Sequence, residues 1–330
     1  MDAVERRPDR MNFAWRMVFF ILLSSNALKS TFSYQRSLPR RLSSRFCLHS
    51  DAKDGDTIIV PSGLLAVFKP KDWTSSDVVS KVKGILSKGM QTRCNNKRFK
   101  IKVGHGGTLD PLAVGVLVLG IGEGTKLMGD YLAGSKGYHA VALLGTETDT
   151  LDCTGAVTET VDSSAITESD LKSALAPFRG DILQVPPMYS ALKRDGKKLY
   201  ELARDGITVE REPRAVTVHS LDMLSEYQES PMGTASRKIQ LPHFGLDISS
   251  GGGFYVRSLI SDLARSCGGR AHMTDLIRTK QGPFVISDCL LEENWNFENI
   301  CEGLRAANAK GGLDLKPAAE GIICQPPPIP

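Results

Sequence analysis

Residues 103–115 form a glycine-rich turn that carries one carboxylate, Asp110, directly before Pro111. Glycine accepts positive φ and lets other backbone approach closely, whereas proline fixes its own φ and disfavours helical backbone at the residue before it. The carboxylate of Asp110 is therefore presented from a stiff loop. A single carboxylate held in this way can attack an electron-poor carbon or stabilise charge at a reacting centre. Asp110 is accordingly the candidate nucleophile.

The segments around this turn predict buried strands and amphipathic helices. The predicted strands are residues 64–68, 115–120 and 138–144, and the predicted helices follow Ser75 or Ser76, cover 125–132, and follow a capping box that begins at Thr167. Short strands with polar turns near residues 213–226 and 238–258 favour antiparallel or mixed pairing. Long repeats typical of a doubly wound sheet are not seen. We therefore predict an α+β fold with a mixed, largely antiparallel central sheet and flanking helices.

Charge and cysteine placement argue against several classes of protein. Residues 1–50 contain nine Lys or Arg and three Asp or Glu, so the other 280 residues have 32 basic and 34 acidic side chains, a net charge of −2. Net charge thus gives no support for a nucleic-acid partner, and only local basic clusters can. The seven cysteines are dispersed without metal-ligand spacing, and the commonest metalloprotease, hydrolase and P-loop motifs are absent. What remains is an enzyme that uses neither a metal nor a nucleotide, or a protein that is not an enzyme.

The two ends of the chain differ in composition from the segment between them. Residues 11–50 contain no Asp or Glu among scattered arginines and serines, as in organelle transit peptides. The apolar run 17–28 also fits a secretory h-region, and a signal segment followed by an Arg/Ser-rich one would suit a plastid that is reached through the secretory route. A mitochondrial presequence is the simpler alternative, and both destinations stay open. The last residues are rich in Ala, Gly, Lys and finally Pro. We predict a targeting or disordered segment over 1–55, a folded domain over 56–290 and a largely disordered tail over 291–330.

Five blocks occur in order between residues 63 and 283. They are GLLAVFKP (63–70), GHGGTLDPLA with GEGTK (104–113 and 122–126), LGTETDTLD (144–152), VPPMYSALK with GKKLY (185–193 and 196–200), and GFYVRSL (253–259). Together they resemble the TruB family of tRNA pseudouridine synthases. The resemblance implies a cofactor-free isomerisation, in which the N1 to C1′ bond of a uridine in RNA is broken, the uracil turns, and a C5 to C1′ bond is made. It makes residues 56–290 the catalytic domain.

The resemblance also implies roles for individual residues. Asp110 is the catalytic carboxylate, and Arg257 fits the permanent cation that a carboxylate buried against a flipped base requires. Tyr138 occupies the base-stacking position, and its phenol is assigned the late proton transfer. His105 resembles the histidine that fills the gap left by the flipped base. The predicted wall and edge of the pocket are Tyr255, Leu276 and Arg278.

Two basic clusters are candidates for contacts with RNA phosphates. Lys193 and Lys197 lie in a family block, together with Arg194 and Lys198. The second cluster lies in residues 84–103, which contain no acid and look longer than the matching segment of typical bacterial members. Its cations are Lys88, Arg93, Lys97, Arg98, Lys100 and Lys102. A solvated loop is the alternative interpretation of each cluster.

The resemblance makes the T-arm of tRNA the expected partner and its T-loop uridine, position 55, the expected substrate. We expect a monomer with no membrane partner after targeting and no obligate protein partner. Bacterial members carry a C-terminal RNA-binding PUA domain, for which the about 40 residues after Ser287 are too few. Three alternatives stay open: organellar mRNA or rRNA as the substrate, a guide-RNA-dependent enzyme, and a non-catalytic RNA-folding chaperone.

Overall fold

The computed structural model describes residues 61–228 and 236–310. The strands are β1 (Gly63–Lys69), β2 (Val103–His105), β3 (Val114–Ile121), β4 (Lys136–Leu144), β5 (Thr146–Thr148), β6 (Val157–Thr160), β7 (Gly180–Gln184), β8 (Lys193–Arg194), β9 (Lys197–Lys198), β10 (Arg214–Leu224), β11 (Glu226–Gln228), β12 (Ser236–Lys238), β13 (His243–Ser250), β14 (Ala271–Gln281) and β15 (Phe284–Val285). The helices are α1 (Ser75–Arg93), α2 (Met128–Ala133), α3 (Glu168–Ala174), α4 (Leu199–Arg204), α5 (Val256–Ser266) and α6 (Phe297–Lys310). None of these helices is long and apolar enough to cross a membrane. The targeting segment predicted over residues 1–55 lies outside the described residues and stays a prediction.

One large sheet organises the described residues. Seven strands follow the order β1-β3-β14-β4-β13-β10-β7, while β2 pairs with β3 and β15 pairs with β14. The pairs in this sheet are antiparallel except for a short parallel contact between β3 and β14, where Val114 lies opposite Ile277. The predicted α+β class with a mixed, largely antiparallel sheet is confirmed.

Strand β3 leads out of the Asp110 turn and is buried on both faces. Its sequence, VGVLVLGI, has apolar residues at odd and even positions, which is what a strand covered on both sides requires. Leu117 and Leu119 belong to an apolar cluster with residues of α1 and α6, and Val116 and Val118 belong to a second cluster with Phe284. The strands predicted at 64–68, 115–120 and 138–144 lie within β1, β3 and β4, so these three predictions are confirmed.

Helix α1 begins one residue earlier than predicted. Thr74 is its cap: the Thr74 hydroxyl accepts from the backbone N–H of Asp77 at 3.1 Å, and the Asp77 carboxylate accepts from the backbone N–H of Thr74 at 2.9 Å. Ser75 instead exchanges hydrogen bonds with the backbone of Leu109, accepting from its N–H at 2.9 Å and donating to its carbonyl at 3.2 Å. The prediction that Ser75 or Ser76 caps α1 is wrong, because the Ser75 side chain is used to hold the Asp110 turn.

Of the two other predicted helices, the first is divided into two shorter elements and the second is confirmed at its start. The segment 125–132 divides into a 3-10 turn at Gly122–Leu127 and the short helix α2. The capping box at Thr167 is confirmed, since Thr167 and Asp170 exchange side-chain to backbone hydrogen bonds at the start of α3.

Helix α6 corrects the prediction of a largely disordered tail over 291–330. The buried residues of α6 recur every three or four positions and form one apolar face: Phe297, Ile300, Leu304 and Ala307. Asn308 of the same helix accepts a hydrogen bond from the backbone N–H of Leu64 in β1 at 2.9 Å. The prediction failed because it weighed the overall composition of the segment and not this spacing. The fold therefore extends at least to residue 310, and residues 311–330 lie outside the described part.

We expect Ile300→Ala to lower the free energy of unfolding by about 2–5 kcal/mol, because Ile300 is fully buried and its truncation leaves a cavity beneath α6. Glu302→Ala, on the exposed face of the same helix, should change it by less than about 0.5 kcal/mol. Urea unfolding of the full chain measures both. Equal effects of the two substitutions would mean that α6 is not packed on the sheet.

Candidate active site

The acid loop, residues 106–113, joins β2 to β3 and is fixed by backbone hydrogen bonds. The N–H of Ala113 donates to the carbonyl of Asp110 at 3.1 Å, which closes a turn around the acid. The N–H of Asp72 donates to the carbonyl of Pro111 at 2.9 Å. Gly107 has φ +142°, a conformation that residues with a side chain rarely adopt. The loop is therefore stiff, as predicted, and the Asp110 side chain remains 33% exposed.

Arg257, near the start of α5, is the cation that faces Asp110. Its Nε lies 2.8 Å from Asp110 Oδ2, and its side chain is only 5% exposed. The two terminal nitrogens donate to the backbone carbonyls of Thr150 at 2.7 Å and Tyr189 at 2.9 Å. Both terminal nitrogens of the guanidinium thus have a backbone acceptor, and Nε is in ion-pair contact with Asp110, so the orientation of the side chain is fixed. The predicted pairing of Asp110 with a permanent cation is confirmed.

A second carboxylate, Asp152, lies on the other side of Arg257. Its Oδ2 is 3.8 Å from Arg257 Nε, and its Oδ1 accepts hydrogen bonds from Thr150 Oγ1 at 2.8 Å and from the N–H and Oγ1 of Thr154 at 3.0 and 2.5 Å. These hydrogen bonds fix the orientation of the carboxylate beside Arg257. Asp152 lies in one of the family blocks, but no role was inferred for it from the resemblance. The signal available was its position at the end of the threonine- and aspartate-rich run of that block.

Tyr138 and Arg278 lie on adjacent strands, at directly opposed positions of β4 and β14. Tyr138 is buried, and burial is the main reason that its pKa is raised above the ordinary value; the charge of Arg278 opposes that shift. The phenol is therefore protonated near neutral pH. Its ring is suited to stacking, and the adjacent guanidinium offers stabilisation to a phenolate that forms transiently.

Arg278, which the resemblance places at an edge of the pocket, is buried beneath the acid loop. Its side chain is 1% exposed and holds the acid loop from inside. Nε donates to the carbonyl of Val116 at 2.7 Å, and one terminal nitrogen donates to the carbonyl of Gly107 at 3.2 Å and to the side chain of Gln281 at 3.1 Å. These contacts favour a role in positioning the loop.

The other predicted pocket residues surround the same loop. His105 ends β2, and its Nδ1 accepts a hydrogen bond from the N–H of Gly107 at 3.3 Å. Burial, and then the charge of Arg278, lower the pKa of His105, so the imidazole is neutral at pH 7. Tyr255 is half-buried at the start of α5, and burial is the main cause of its raised pKa. Leu276 is buried in the same apolar cluster as Tyr138.

Lys193 and Lys197 lie on the exposed hairpin formed by β8 and β9. Two backbone hydrogen bonds tie the residues flanking this hairpin together: Leu199 N–H donates to Leu192 O at 2.8 Å, and Tyr200 N–H donates to Ser190 O at 3.1 Å. Ser190 follows Tyr189, whose carbonyl accepts from Arg257. The hairpin that carries Lys193 and Lys197 is therefore tied by backbone hydrogen bonds to the segment that contacts Arg257. Both lysine side chains are exposed to solvent.

Lys69 is a buried cation below the acid loop that our sequence analysis recognised only as the end of a strand. Its Nζ donates to three backbone carbonyls, those of Pro70 at 2.8 Å, Trp73 at 2.5 Å and Pro111 at 3.1 Å. Burial lowers its pKa to about 8, and the nearby charge of Asp110 limits that fall. Lys69 thus fixes the backbone directly after Asp110. No local pattern distinguishes it from an exposed lysine.

The pKa of Lys69 predicts a specific dependence of stability on pH. The folded-state pKa of about 8 is below the ordinary 10.5, so the folded protein releases this proton first and raising the pH between these values favours the folded state. Between about pH 8 and 9.5, the free energy of unfolding of the wild type should rise by about 1–2 kcal/mol relative to that of Lys69→Met.

Urea unfolding of both proteins at the two pH values makes this comparison. Lys71→Met, which removes an exposed lysine two residues further on, should keep the pH dependence of the wild type. A constant difference between wild type and Lys69→Met at the two pH values would contradict the lowered pKa.

The chain is similar to several proteins of known family. Residues 93–256 match the TruB family pseudouridylate synthase (N terminal domain). The chain is 46% identical over 249 residues to pseudouridylate synthase TRUB1 of Mus musculus, covering 74% of this chain and 70% of that protein. It is 39% identical over 241 residues to tRNA pseudouridine synthase B of Clostridium tetani, covering 73% of this chain and 75% of that protein. A chain of the solved Cbf5-Nop10-Gar1 complex is similar at a TM-score of 0.48 and 22% identity, covering 77% of this chain and 58% of that chain. The 46% and 39% identity to the mouse and Clostridium tetani enzymes, over most of their length, means that the chain belongs to the TruB family and is a pseudouridine synthase, an isomerase.

Proposed function

We propose that this enzyme converts the T-loop uridine of tRNA, position 55, to pseudouridine with Asp110 as its nucleophile. The observation that carries the proposal is the ion pair, at 2.8 Å, between a partly exposed carboxylate on a stiff loop and a buried arginine whose terminal nitrogens are both hydrogen-bonded. The tRNA substrate is supported by the name of the 39% identical relative, tRNA pseudouridine synthase B. The organellar location predicted from residues 1–50 is a separate proposal that does not depend on the chemistry.

The proposed reaction conserves every atom of the uridine. The Asp110 carboxylate attacks either the sugar or the base, the N1 to C1′ bond breaks, and the uracil turns so that C5 faces C1′. A C5 to C1′ bond then forms and the bond between the Asp110 carboxylate and the uridine breaks, which regenerates the free carboxylate. The proton on C5 is removed, and N1 gains a proton. Because nothing is oxidised or reduced and no group is lost, the reaction requires no cofactor. Splitting one difficult step into two easier ones is the advantage of the covalent route.

Asp110 must be ionised to react, although a flipped base would shield it from water. Arg257 places a permanent positive charge beside Asp110, and its hydrogen bonds to two backbone carbonyls hold that charge in place. We assign Arg257 to balancing the negative charge of Asp110, and Asp152 to orienting Arg257 from the opposite side.

A uridine in a folded RNA has to leave its stack before it can reach Asp110. We assign the ring of Tyr138 to stacking against the flipped uracil, and its hydroxyl, next to Arg278, to the proton transfer from C5. The neutral ring of His105 is suited to stacking within the RNA from which the base has left. Tyr255 and Leu276 form the apolar wall, while Lys193 and Lys197 contact phosphates.

We expect Asp110→Asn to lower pseudouridine formation by on the order of 10³-fold or more while leaving RNA affinity within about threefold, because the nucleophile is lost and the phosphate contacts are not. The measurement uses the full chain and an unmodified tRNA transcript, with the modified position mapped. Asp162→Asn, on an exposed loop, is the matched control and should keep wild-type activity. A second transcript with cytidine at position 55 should yield no product.

The outcomes separate the alternatives. Product at another position, or in mRNA or rRNA but not in tRNA, would replace the proposed substrate. RNA binding by the wild type without any conversion would favour the RNA-folding chaperone. Wild-type activity in Asp110→Asn would refute the nucleophile.

We expect Arg257→Lys to lower the rate of conversion by about 10²- to 10³-fold, although the charge is kept. A lysine ammonium cannot reproduce the planar set of donors that contacts Asp110, Thr150 and Tyr189 together. Single-turnover kinetics with the same transcript measure the effect. Arg179→Lys, which alters an exposed ion pair with Asp222 at the far edge of the sheet, should leave the rate unchanged. Equal rates for wild type and Arg257→Lys would show that charge alone is sufficient.

A further inference from the structure

The segment between α1 and β2, residues 95–102, forms a compact basic loop. Four of its eight residues are exposed cations: Lys97, Arg98, Lys100 and Lys102. The flanking sequence from residue 84 to 103 contains no Asp or Glu. The loop therefore presents positive charge without acidic side chains of its own.

The basic loop is anchored to the core between its cations. Phe99 and Ile101 are buried in the apolar cluster that includes α1 and β3. The carbonyl of Phe99 accepts a hydrogen bond from the Gln91 side chain at 3.1 Å, and Asn96 closes a turn by accepting from the N–H of Arg98 at 3.0 Å. The backbone is thus ordered before any partner binds, which lowers the entropic cost of binding.

The cations at the centre of the loop have no internal counter-charge. Among the described residues, no carboxylate lies within 4.0 Å of Lys97, Arg98 or Lys100. Arg93, which our sequence analysis grouped with them, is used differently. It pairs with Glu298 of α6 at 2.8 Å and lies over the ring of Phe297. The arginine that docks α6 is neutralised, and the loop that follows it is not.

The basic loop is followed directly by β2, the strand that ends at the predicted site residue His105. The carbonyl of Lys102 accepts from the N–H of Gly122 at 2.9 Å, and the next three residues are β2, which ends at His105. At about 3.3 Å per residue, the Cα atoms of Lys102 and His105 are roughly 10 Å apart. Lys102 is near Glu123, whose pKa is lowered first by its hydrogen bond with Lys126 and also by the charge of Lys102. Lys102 is therefore the cation of the basic loop that is nearest to β2 along the chain.

We propose that the basic loop binds the phosphate backbone of the same RNA that presents its uridine to Asp110, an inference that rests on the proposed function. Its apolar residues, Phe99 and Ile101, are turned inward, so the loop offers charge and hydrogen-bond donors to a partner but little apolar surface. That chemistry fits a polyanion. Contacts of this kind add affinity and orientation without reading the sequence of the RNA.

The test is the salt dependence of RNA affinity. Each phosphate contact adds about 0.7–0.9 to the slope of log K against log salt. Between 50 and 200 mM salt, the wild-type chain should therefore lose roughly 20- to 40-fold more affinity for an unmodified tRNA transcript than the variant Lys97→Ala/Arg98→Ala/Lys100→Ala. A variant that keeps the charge, Lys97→Arg/Lys100→Arg, should retain the wild-type slope.

A matched control removes the same charge elsewhere. Lys83→Ala/Lys172→Ala/Lys238→Ala changes three exposed lysines on α1, α3 and β12 and should keep the wild-type slope. If the triple variant of the basic loop unfolds, the three single variants replace it, and each is expected to lose about threefold of the salt effect. A slope equal to that of the wild type in folded variants of the basic loop would overturn the inference.

Conversion of the transcript by the wild type, measured in parallel, separates this inference from the proposed function. Conversion together with an unchanged slope in the triple variant would refute the RNA-binding loop and leave the enzyme assignment intact. A reduced slope in the triple variant without conversion by the wild type would refute the proposed substrate and support the loop as an RNA-binding surface.

Discussion

The ion pair between Asp110 and Arg257 brings together an irregular loop and a helix that are far apart in the chain. A carboxylate and a guanidinium attract each other more strongly where water is excluded, but an arginine that is 5% exposed is stable only if its other donors are also satisfied. Thr150 and Tyr189 satisfy them with backbone carbonyls. The segments that supply those carbonyls are therefore part of the active site, although their side chains need not touch the RNA.

The acid loop is held from beneath by two further buried cations. Arg278 donates to the backbone carbonyls of Gly107, before Asp110, and of Val116, after it, while Lys69 donates to the carbonyl of Pro111. An irregular loop has carbonyls without partners in a strand or helix, and such groups are costly when buried unless something donates to them. Buried charges are costly too, and here the two requirements offset each other. The result is a stiff backbone on which the carboxylate of Asp110 faces outward.

Several features of the fold and of the site can be recognised from residues that are close together in the sequence, and others cannot. An apolar run such as β3 is recognisable because burial on both faces demands it, and the capping box at Thr167 is recognisable because its two residues are three positions apart. The contact between Ser75 and the acid loop is not recognisable from the sequence, since its partner, Leu109, is 34 residues away and the neighbouring Thr74 is an equally suitable helix cap. Lys69 and Asp152 were missed as members of the site for the same reason: a lysine at a strand end and an aspartate in a polar turn are ordinarily exposed. Helix α6 was missed because its four buried residues are separated by small and polar ones.

The sequence by itself determined the family and the reaction class, because five motifs in the same order resemble those of the TruB family. It also singled out Asp110 as the candidate nucleophile, because the glycines and the proline around this residue are local properties of the chain. It also determined the α+β class, since apolar periodicity reports which faces are buried. Only the tertiary structure decided that Arg257 donates to two backbone carbonyls beside its ion pair with Asp110, that Arg278 is buried under the acid loop, and that Arg93 docks a helix while Lys97, Arg98 and Lys100 remain available. Each residue type has a known charge and a known number of hydrogen-bond donors and acceptors. Whether these groups pair within the protein or stay free for a partner depends on which distant backbone and side-chain groups the fold places next to them.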